Sequence, residues 1–241
     1  MSARFRVGTS GWHYKHWRGR FYPLDLPPSR WLSYYSARFP SVEINNTFYR
    51  LPQPSTFVSW RQEAPPGFVF AIKASRGITH YRKLAGAEQP LETFLARARL
   101  LGSALGPVLY QLPPSLHRDD ERLGRFLALL PTDLQYAIEF RHPSWFVEPI
   151  YALLRQHGVA LCLVSMPDFT SPLVATAQFI YVRFHGTSGL YQGSYSDEEL
   201  RRWAAELKLL CSSERHAFVY FNNDQNAYAV YNALTLAAFL A

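Results

Sequence analysis

The sequence predicts a TIM-type eight-stranded parallel β/α barrel with its sixth helix reduced or missing, and three observations carry that reading. Eight short apolar runs alternate with helical patterns at a mean repeat of about 30 residues, the spacing an eightfold βα barrel requires. Several of these runs place polar or charged residues on one face near their C-terminal ends, where a doubly wound open sheet would meet another layer of helices. The chain has 241 residues, near the usual size of one such barrel, and no Gly/Ser-rich linker, charge block or low-complexity tract divides it. Residues 1–241 therefore read as one domain.

Arg4 to Val7 reads as the first strand, broken by Gly8-Thr9-Ser10-Gly11. The connection that follows, from Trp12 to Trp17 and on through Phe21-Tyr22-Pro23, is unusually aromatic. It fits either a stacking wall for a planar ligand or a lid whose rings pack on one another. Ser29 caps a helix that places Trp31, Leu32, Tyr35 and Phe39 near one face. Val42 to Tyr49 then alternates apolar and polar residues, so Val42 and Ile44 point one way while Glu43 and Asn45 point the other. A helix over Ser55 to Glu63 leads to a third strand, Phe68 to Lys73, with Phe68, Phe70 and Ile72 facing helices and Val69, Ala71 and Lys73 facing inward.

Helical spacing continues over Leu91 to Leu105, followed by a strand from Val108 to Leu112 with Gln111 on the face of Leu109. Asp119 to Leu130 is helical and stops at Pro131. The fifth strand, Tyr136 to Arg141, sets Ala137, Glu139 and Arg141 on one side and runs into His142-Pro143-Ser144-Trp145. A helix from Glu148 to His157 ends at Gly158, and Val159 to Val164 is the sixth strand. Ser165 to Gln178 holds two prolines and little helical pattern. Phe179 to Gly186 is the seventh strand, with Tyr181, Arg183 and His185 sharing a face. Ser196-Asp-Glu-Glu199 is a capping box opening a helix to about Leu210. The last strand, Phe218 to Phe221, runs into Asn222-Asn223-Asp224, and a helix from about Ala227 closes the chain.

The opening residues Met1 to Val7 lack the apolar run of a signal peptide, and no stretch reaches the 18 or more apolar residues of a membrane span. These features predict a cytoplasmic protein with no membrane partner. Its two cysteines, Cys162 and Cys211, fit reduced buried thiols better than a disulfide framework. The formal charge of +7 suits an anionic partner. Because the basic residues are scattered, a small anionic or hydroxylated molecule is favoured over a nucleic acid, which stays the alternative partner.

Projected onto a barrel, the polar set converges on one mouth: Glu43, Asn45, Lys73, Gln111, Glu139, Arg141, Arg183, His185 and Asn222. Three permanent cations oppose two carboxylates, leaving room for an anion. In the enzyme reading Glu43 or Glu139 is the general base and His185 its acid or base partner. Lys73, Arg141 and Arg183 clamp phosphate or carboxylate, Asn45, Gln111 and Asn222 orient the substrate, and Trp12, Tyr49 and Trp145 supply aromatic walls. The competing readings are a satisfied ion-pair network in a non-catalytic sensor or scaffold, and a nucleic-acid-binding protein. Glycoside hydrolysis is disfavoured because the cations keep both carboxylates ionised. A metal held by Glu139, His142 and His185 is disfavoured because the same cations repel it. No metal or other cofactor is called for.

Taken together, Gly8-Thr-Ser-Gly-Trp12, Glu43-Ile-Asn-Asn-Thr-Phe-Tyr49, Ile78-Thr-His80, Gln111-Leu-Pro-Pro114, Glu139-Phe-Arg-His-Pro-Ser-Trp145, Tyr181-Val-Arg-Phe-His-Gly186 and Phe221-Asn-Asn-Asp224 resemble the signature blocks of the YecE-like family, domain of unknown function 72. The resemblance covers nearly the whole chain and implies a TIM-type barrel; it implies no activity. Relatives often carry an Asp after the sixth strand, where this chain has Val164-Ser165.

Overall fold

The computed structural model describes residues 4–189, 191–211 and 215–241. Met1 to Ala3, part of the opening read for a leader, lie outside the described residues. Eight parallel strands run in the order β1 (Phe5–Thr9), β9 (His216–Phe221), β8 (Phe179–Phe184), β6 (Ala160–Met166), β5 (Tyr136–Glu139), β4 (Leu105–Gln111), β3 (Val69–Lys73) and β2 (Ser41–Ile44). The helices in chain order are α1 (Trp31–Ser36), α2 (Asn46–Tyr49), α3 (Pro54–Glu63), α4 (Glu88–Ala98), α5 (Asp120–Ala128), α6 (Glu148–Gln156), α7 (Asp197–Leu210) and α8 (Tyr228–Leu240). The eight strands form a nearly closed TIM-type barrel.

Closure falls between β1 and β2, where the ladder shrinks to one parallel bridge, Ser10 to Glu43, with the Gly11 amide donating to the Glu43 carbonyl at 2.8 Å. The seam stays tight because Gly8 has no side chain and because the Tyr35 hydroxyl fills the gap. That hydroxyl accepts from the Thr9 amide at 2.8 Å and donates to the Ser41 carbonyl at 3.2 Å. Buried backbone groups left without a ladder partner thereby find one.

Alternation along the strands builds two apolar layers. Phe70, Ile72, Val108, Tyr110, Ile138, Leu161, Leu163, Ile180, Val182 and Val219 pack outward against the helices. Ala71, Leu109, Ala137, Ala160, Cys162, Val164, Phe179, Tyr181, Phe218 and Tyr220 fill the barrel. Inward and outward faces match the sequence pattern for β3, β5 and β8, since a parallel strand buries both of its faces but puts them in different environments. Cys162 and Cys211 are free and buried.

Local signals place the helices. Ser196 and Glu199 form a reciprocal capping box at the start of α7, and an Asp119 carboxylate oxygen accepts from the Arg122 amide at 2.9 Å to start α5. Proline stands at the first turn of α3 and α6, where its missing N–H costs nothing. Among the described residues no helix is long and apolar enough to cross a membrane.

Two of the expected segments end earlier in the structure. The extended run expected over Val42 to Tyr49 stops at Ile44; Asn45 turns to φ −96°, ψ −24°, and α2 follows. The Thr47 hydroxyl enforces the turn by lying against the carbonyls of Ile44 (3.1 Å) and Lys73 (2.7 Å), a side-chain substitute for the ladder. The helix expected to reach Leu105 ends at Ala98 and tightens into a 3₁₀ segment over Arg99–Ala104, where Gly102 takes φ +56°. After β6 the helix is missing, as the sequence predicts. The chain instead makes β7 (Phe169–Thr170), antiparallel to β6. The hydroxyls of Ser171 and Thr176 accept from the β6 amides of Val164 and Leu161.

Candidate functional site

Inward side chains from several strand ends meet at the C-terminal side of the barrel, and one of them organises the rest. Arg183, at the end of β8, is fully buried. Its Nε and Nη2 donate to Glu43 Oε1 at 3.2 and 2.8 Å, and its Nη1 donates to Glu139 Oε2 at 2.6 Å. Glu43 also accepts from the Ser10 hydroxyl and from the Tyr181 hydroxyl, both at 2.6 Å. Glu139 further accepts from Arg141 Nε. Both carboxylates are thus saturated by donors, as buried charges must be.

Arg141 extends this network toward solvent, with Nη2 3.0 Å from His185 Nε2 and Nη1 2.9 Å from the Met166 sulfur. His185 Nε2 also lies 3.5 Å from Glu139 Oε1, and its Nδ1 lies 3.4 Å from the side-chain amide nitrogen of Asn222, which can only donate to it. Burial lowers the His185 imidazole to about 4 despite the opposing pull of Glu139. Burial alone would raise the Glu139 carboxyl, but Arg141 and Arg183 beside it reverse that and hold it well below the usual carboxylate range. At neutral pH Glu139 is therefore ionised between two guanidiniums, and His185 is neutral.

Lys73, at the end of β3, stands apart. Its ammonium lies 4.1 Å from the centre of the Phe48 ring and has no hydrogen bond or ion pair among the described residues, although the residue is only 7% exposed. Burial, reinforced by Arg183, brings its pKa down to about 7 against the pull of Glu139 and Glu43. The folded protein binds fewer protons than the unfolded chain between about pH 7 and the ordinary lysine value of 10.5, so stability contributed at this position rises with pH through that window. Lys73→Met is expected to be more stable than wild type at pH 6.5. The gap should narrow toward pH 10, as read by urea denaturation at each pH, and a pH-independent gap would contradict the burial of an unpaired amine.

Around Lys73 the rim is cationic and aromatic. The turn after β3 is a single π-helical turn over Gly77–Tyr81, a local irregularity that often accompanies function. It holds His80, whose ring meets Phe48 edge-on at 4.9 Å and whose Nδ1 lies 2.9 Å from the Thr79 hydroxyl. Burial lowers the His80 pKa, and Lys73 and Arg141 lower it further. Just before that turn, Arg76 sits between the exposed rings of Tyr49 and Tyr81, at 5.8 and 5.4 Å, and makes no ion pair among the described residues. Tyr191 leans on His185 at 5.9 Å between ring centres. Asn45 Oδ1 is buried with no hydrogen-bond partner.

The structure therefore brings together Glu43, Lys73, Glu139, Arg141, Arg183, His185 and Asn222, with Asn45 and Tyr49 at the two ends of α2 and Gln111 in register with Glu139. Two residues expected as ligand walls are placed elsewhere. Trp12 packs edge-on to Trp60 at 5.6 Å and near Phe70, on the outer side of the barrel. Trp145 stacks on Phe140 at 4.7 Å and donates its indole N–H to the Leu116 carbonyl at 2.8 Å. Both are buried in the layer between strands and helices because their rings cover apolar surface there. The aromatic loop around Trp12 likewise packs on itself, with Tyr22 stacked on Trp31 at 4.7 Å and 2°. Arg76, His80 and Tyr191 escaped the sequence reading because each lies beyond a strand end, where alternation says nothing of direction. The signals were the Ser-Arg-Gly break after Lys73 and, for His80, its place in the Ile78-Thr-His80 block of the family resemblance. Among the described residues no group of three or more His, Cys, Asp or Glu could hold a metal.

Comparison with known proteins agrees with this architecture. The chain is 31% identical to a DUF72 family protein from Thermotoga maritima (TM1631), whose crystal structure superposes with a TM-score of 0.90 over 99% of both chains. A second DUF72 structure, EF0366 from Enterococcus faecalis, shares the fold with a TM-score of 0.84 at 20% identity, over 98% of this chain and 95% of that one. UPF0759 protein YunF of Bacillus subtilis is 26% identical over 94% of this chain and 91% of its own length. UPF0759 protein YecE of Escherichia coli is 33% identical over 48% of this chain and 43% of its own. With the family pattern matched over residues 6–241, the chain belongs to the family described as protein of unknown function DUF72.

Proposed function

We propose that the mouth of this barrel is the active site of an enzyme acting on a small metabolite that bears a carboxylate or phosphate. One observation carries the reading: both buried carboxylates are consumed by Arg183 and Arg141, so Lys73 and Arg76 face the mouth with no counter-charge among the described residues. An anion seated there would supply the missing partner, and Asn45 Oδ1 would take one of its hydroxyl donors. Glu43, Glu139 and His185 then act by holding the guanidiniums rigid. Proton transfer falls to Lys73, whose proton affinity lies closer to neutrality than those of the locked Glu139 and the deeply buried His185, with His80 on the same Phe48 ring as its partner.

The test is calorimetric titration with inorganic phosphate, sulfate and malonate at low salt, repeated with Arg76→Ala and Lys73→Met. Binding in wild type weakened at least about tenfold in each variant supports the reading, since a charged hydrogen bond contributes about 1.5–3 kcal/mol. Undetectable binding of all three anions, or tight salt-sensitive binding of oligonucleotides in their place, refutes it.

A further inference from the structure

Lys73 is one of only four lysines in a chain of twenty-one arginines. Lys15 and Lys208 are exposed and Lys83 is half-buried, whereas Lys73 alone is buried, and it is the one at a barrel strand end. A buried lysine whose only role were charge would be expected to reach a carboxylate. Here Glu43 and Glu139 lie near enough to affect its titration, yet each is tied to arginine, and the amine rests on the face of Phe48. Thr47 Oγ1, 2.7 Å from the Lys73 carbonyl, fixes the backbone from which the side chain projects.

We propose that Lys73 is a nucleophile that forms an imine with an aldehyde or ketone carrying a carboxylate or phosphate. The assignment deepens the anion-binding reading of the same mouth and rests on it for the second half of the substrate's description. An amine desolvated beside cations and kept off carboxylates is the arrangement that leaves a lone pair free at neutral pH. Nζ attacks the carbonyl carbon, the C–N bond forms, and the π pair moves onto oxygen, which takes a proton. The carbinolamine then expels that oxygen as water while the nitrogen lone pair closes the C=N bond. Both hydrogens of the amine end in the released water, so the step needs no oxidant, reductant or further reactant. His80, which meets the same Phe48 ring edge-on and feels the charge of Lys73, is the group placed to lend and recover the proton. Arg76 and Arg141 are placed to hold the anionic end.

Reductive trapping tests this directly in the intact protein. Wild type is incubated at pH 7.2 with glyoxylate, with pyruvate or with neutral propionaldehyde, sodium cyanoborohydride is added, and peptide mass spectrometry locates the reduced adducts. The expected result is an adduct on Lys73 formed at least about tenfold faster than on Lys15, Lys83 or Lys208, faster for the two anions than for propionaldehyde, and slowed by inorganic phosphate. Equal labelling of the four lysines overturns the imine assignment. If phosphate still binds in calorimetry and needs Arg76, the anion reading survives that failure. Selective labelling of Lys73 by all three carbonyls, with no phosphate binding, supports the nucleophile and removes the anion site instead. The comparison among lysines of one folded protein keeps the test independent of whether Lys73→Met folds.

Discussion

Arg183→Met should lower the unfolding free energy by about 3–5 kcal/mol, because it leaves Glu43 and Glu139 buried with no counter-charge from β8. For a domain of this size that corresponds to a drop in Tm of roughly 6–20 °C. The size follows from the geometry: one side chain makes three charge-assisted hydrogen bonds to two carboxylates that are themselves 0% exposed. Neither acid can recover its solvation without opening the barrel. Adding Glu43→Gln and Glu139→Gln to Arg183→Met should return a large part of the loss, since the penalty belongs to the stranded charges rather than to the missing contacts. Urea denaturation of the single and triple variants checks both statements. A single variant within about 1 kcal/mol of wild type would mean the network is not what holds the strand ends together.

Gly8→Ala should be costly for a different reason. A Cβ built on Gly8 would stand 2.1 Å from the Ser41 carbonyl oxygen and 3.0 Å from the Tyr35 hydroxyl. No rotamer relieves a clash between a methyl group and backbone, so β1 must move away from β2 by about 1 Å. That is the one place where the ladder consists of a single bridge. The displaced strand would also pull the Thr9 amide from the Tyr35 hydroxyl, orphaning a buried donor. Together these give an expected loss of about 3 kcal/mol, the upper end for overpacking. The Thr9 amide should also exchange its hydrogen faster. A variant as stable as wild type with unchanged exchange at Thr9 would show that the seam is not closely packed.

The Arg183 variant also bears on the proposed site. Lys73 takes part of its lowered proton affinity from Arg183, so removing that guanidinium should raise the Lys73 pKa while removing its attacker's advantage at neutral pH. Structure and chemistry meet in this residue: the cation that neutralises the carboxylates is the one that keeps the neighbouring lysine poised.

The amino-acid order by itself determined the barrel and which side of each strand faces inward. Alternation is a local property, since successive side chains on a strand must diverge, and so Lys73, Glu139, Arg183 and His185 could be placed on a common interior without coordinates. It did not determine Asn45 and Tyr49, because the Thr47 hydroxyl ends β2 by reaching a carbonyl of another strand. Nor did it separate a stacking wall from a packed lid at Trp12 or Trp145, because both uses call for the same apolar rings. Which charge pairs with which was decided only in three dimensions. Arg183 is 140 residues from Glu43 and 44 from Glu139 along the chain, and barrel closure alone puts its guanidinium between them. Coulomb attraction depends on distance through space and on the water excluded from it, and neither is written in the sequence; that is why Lys73, one candidate cation among three on paper, emerges as the one without a carboxylate.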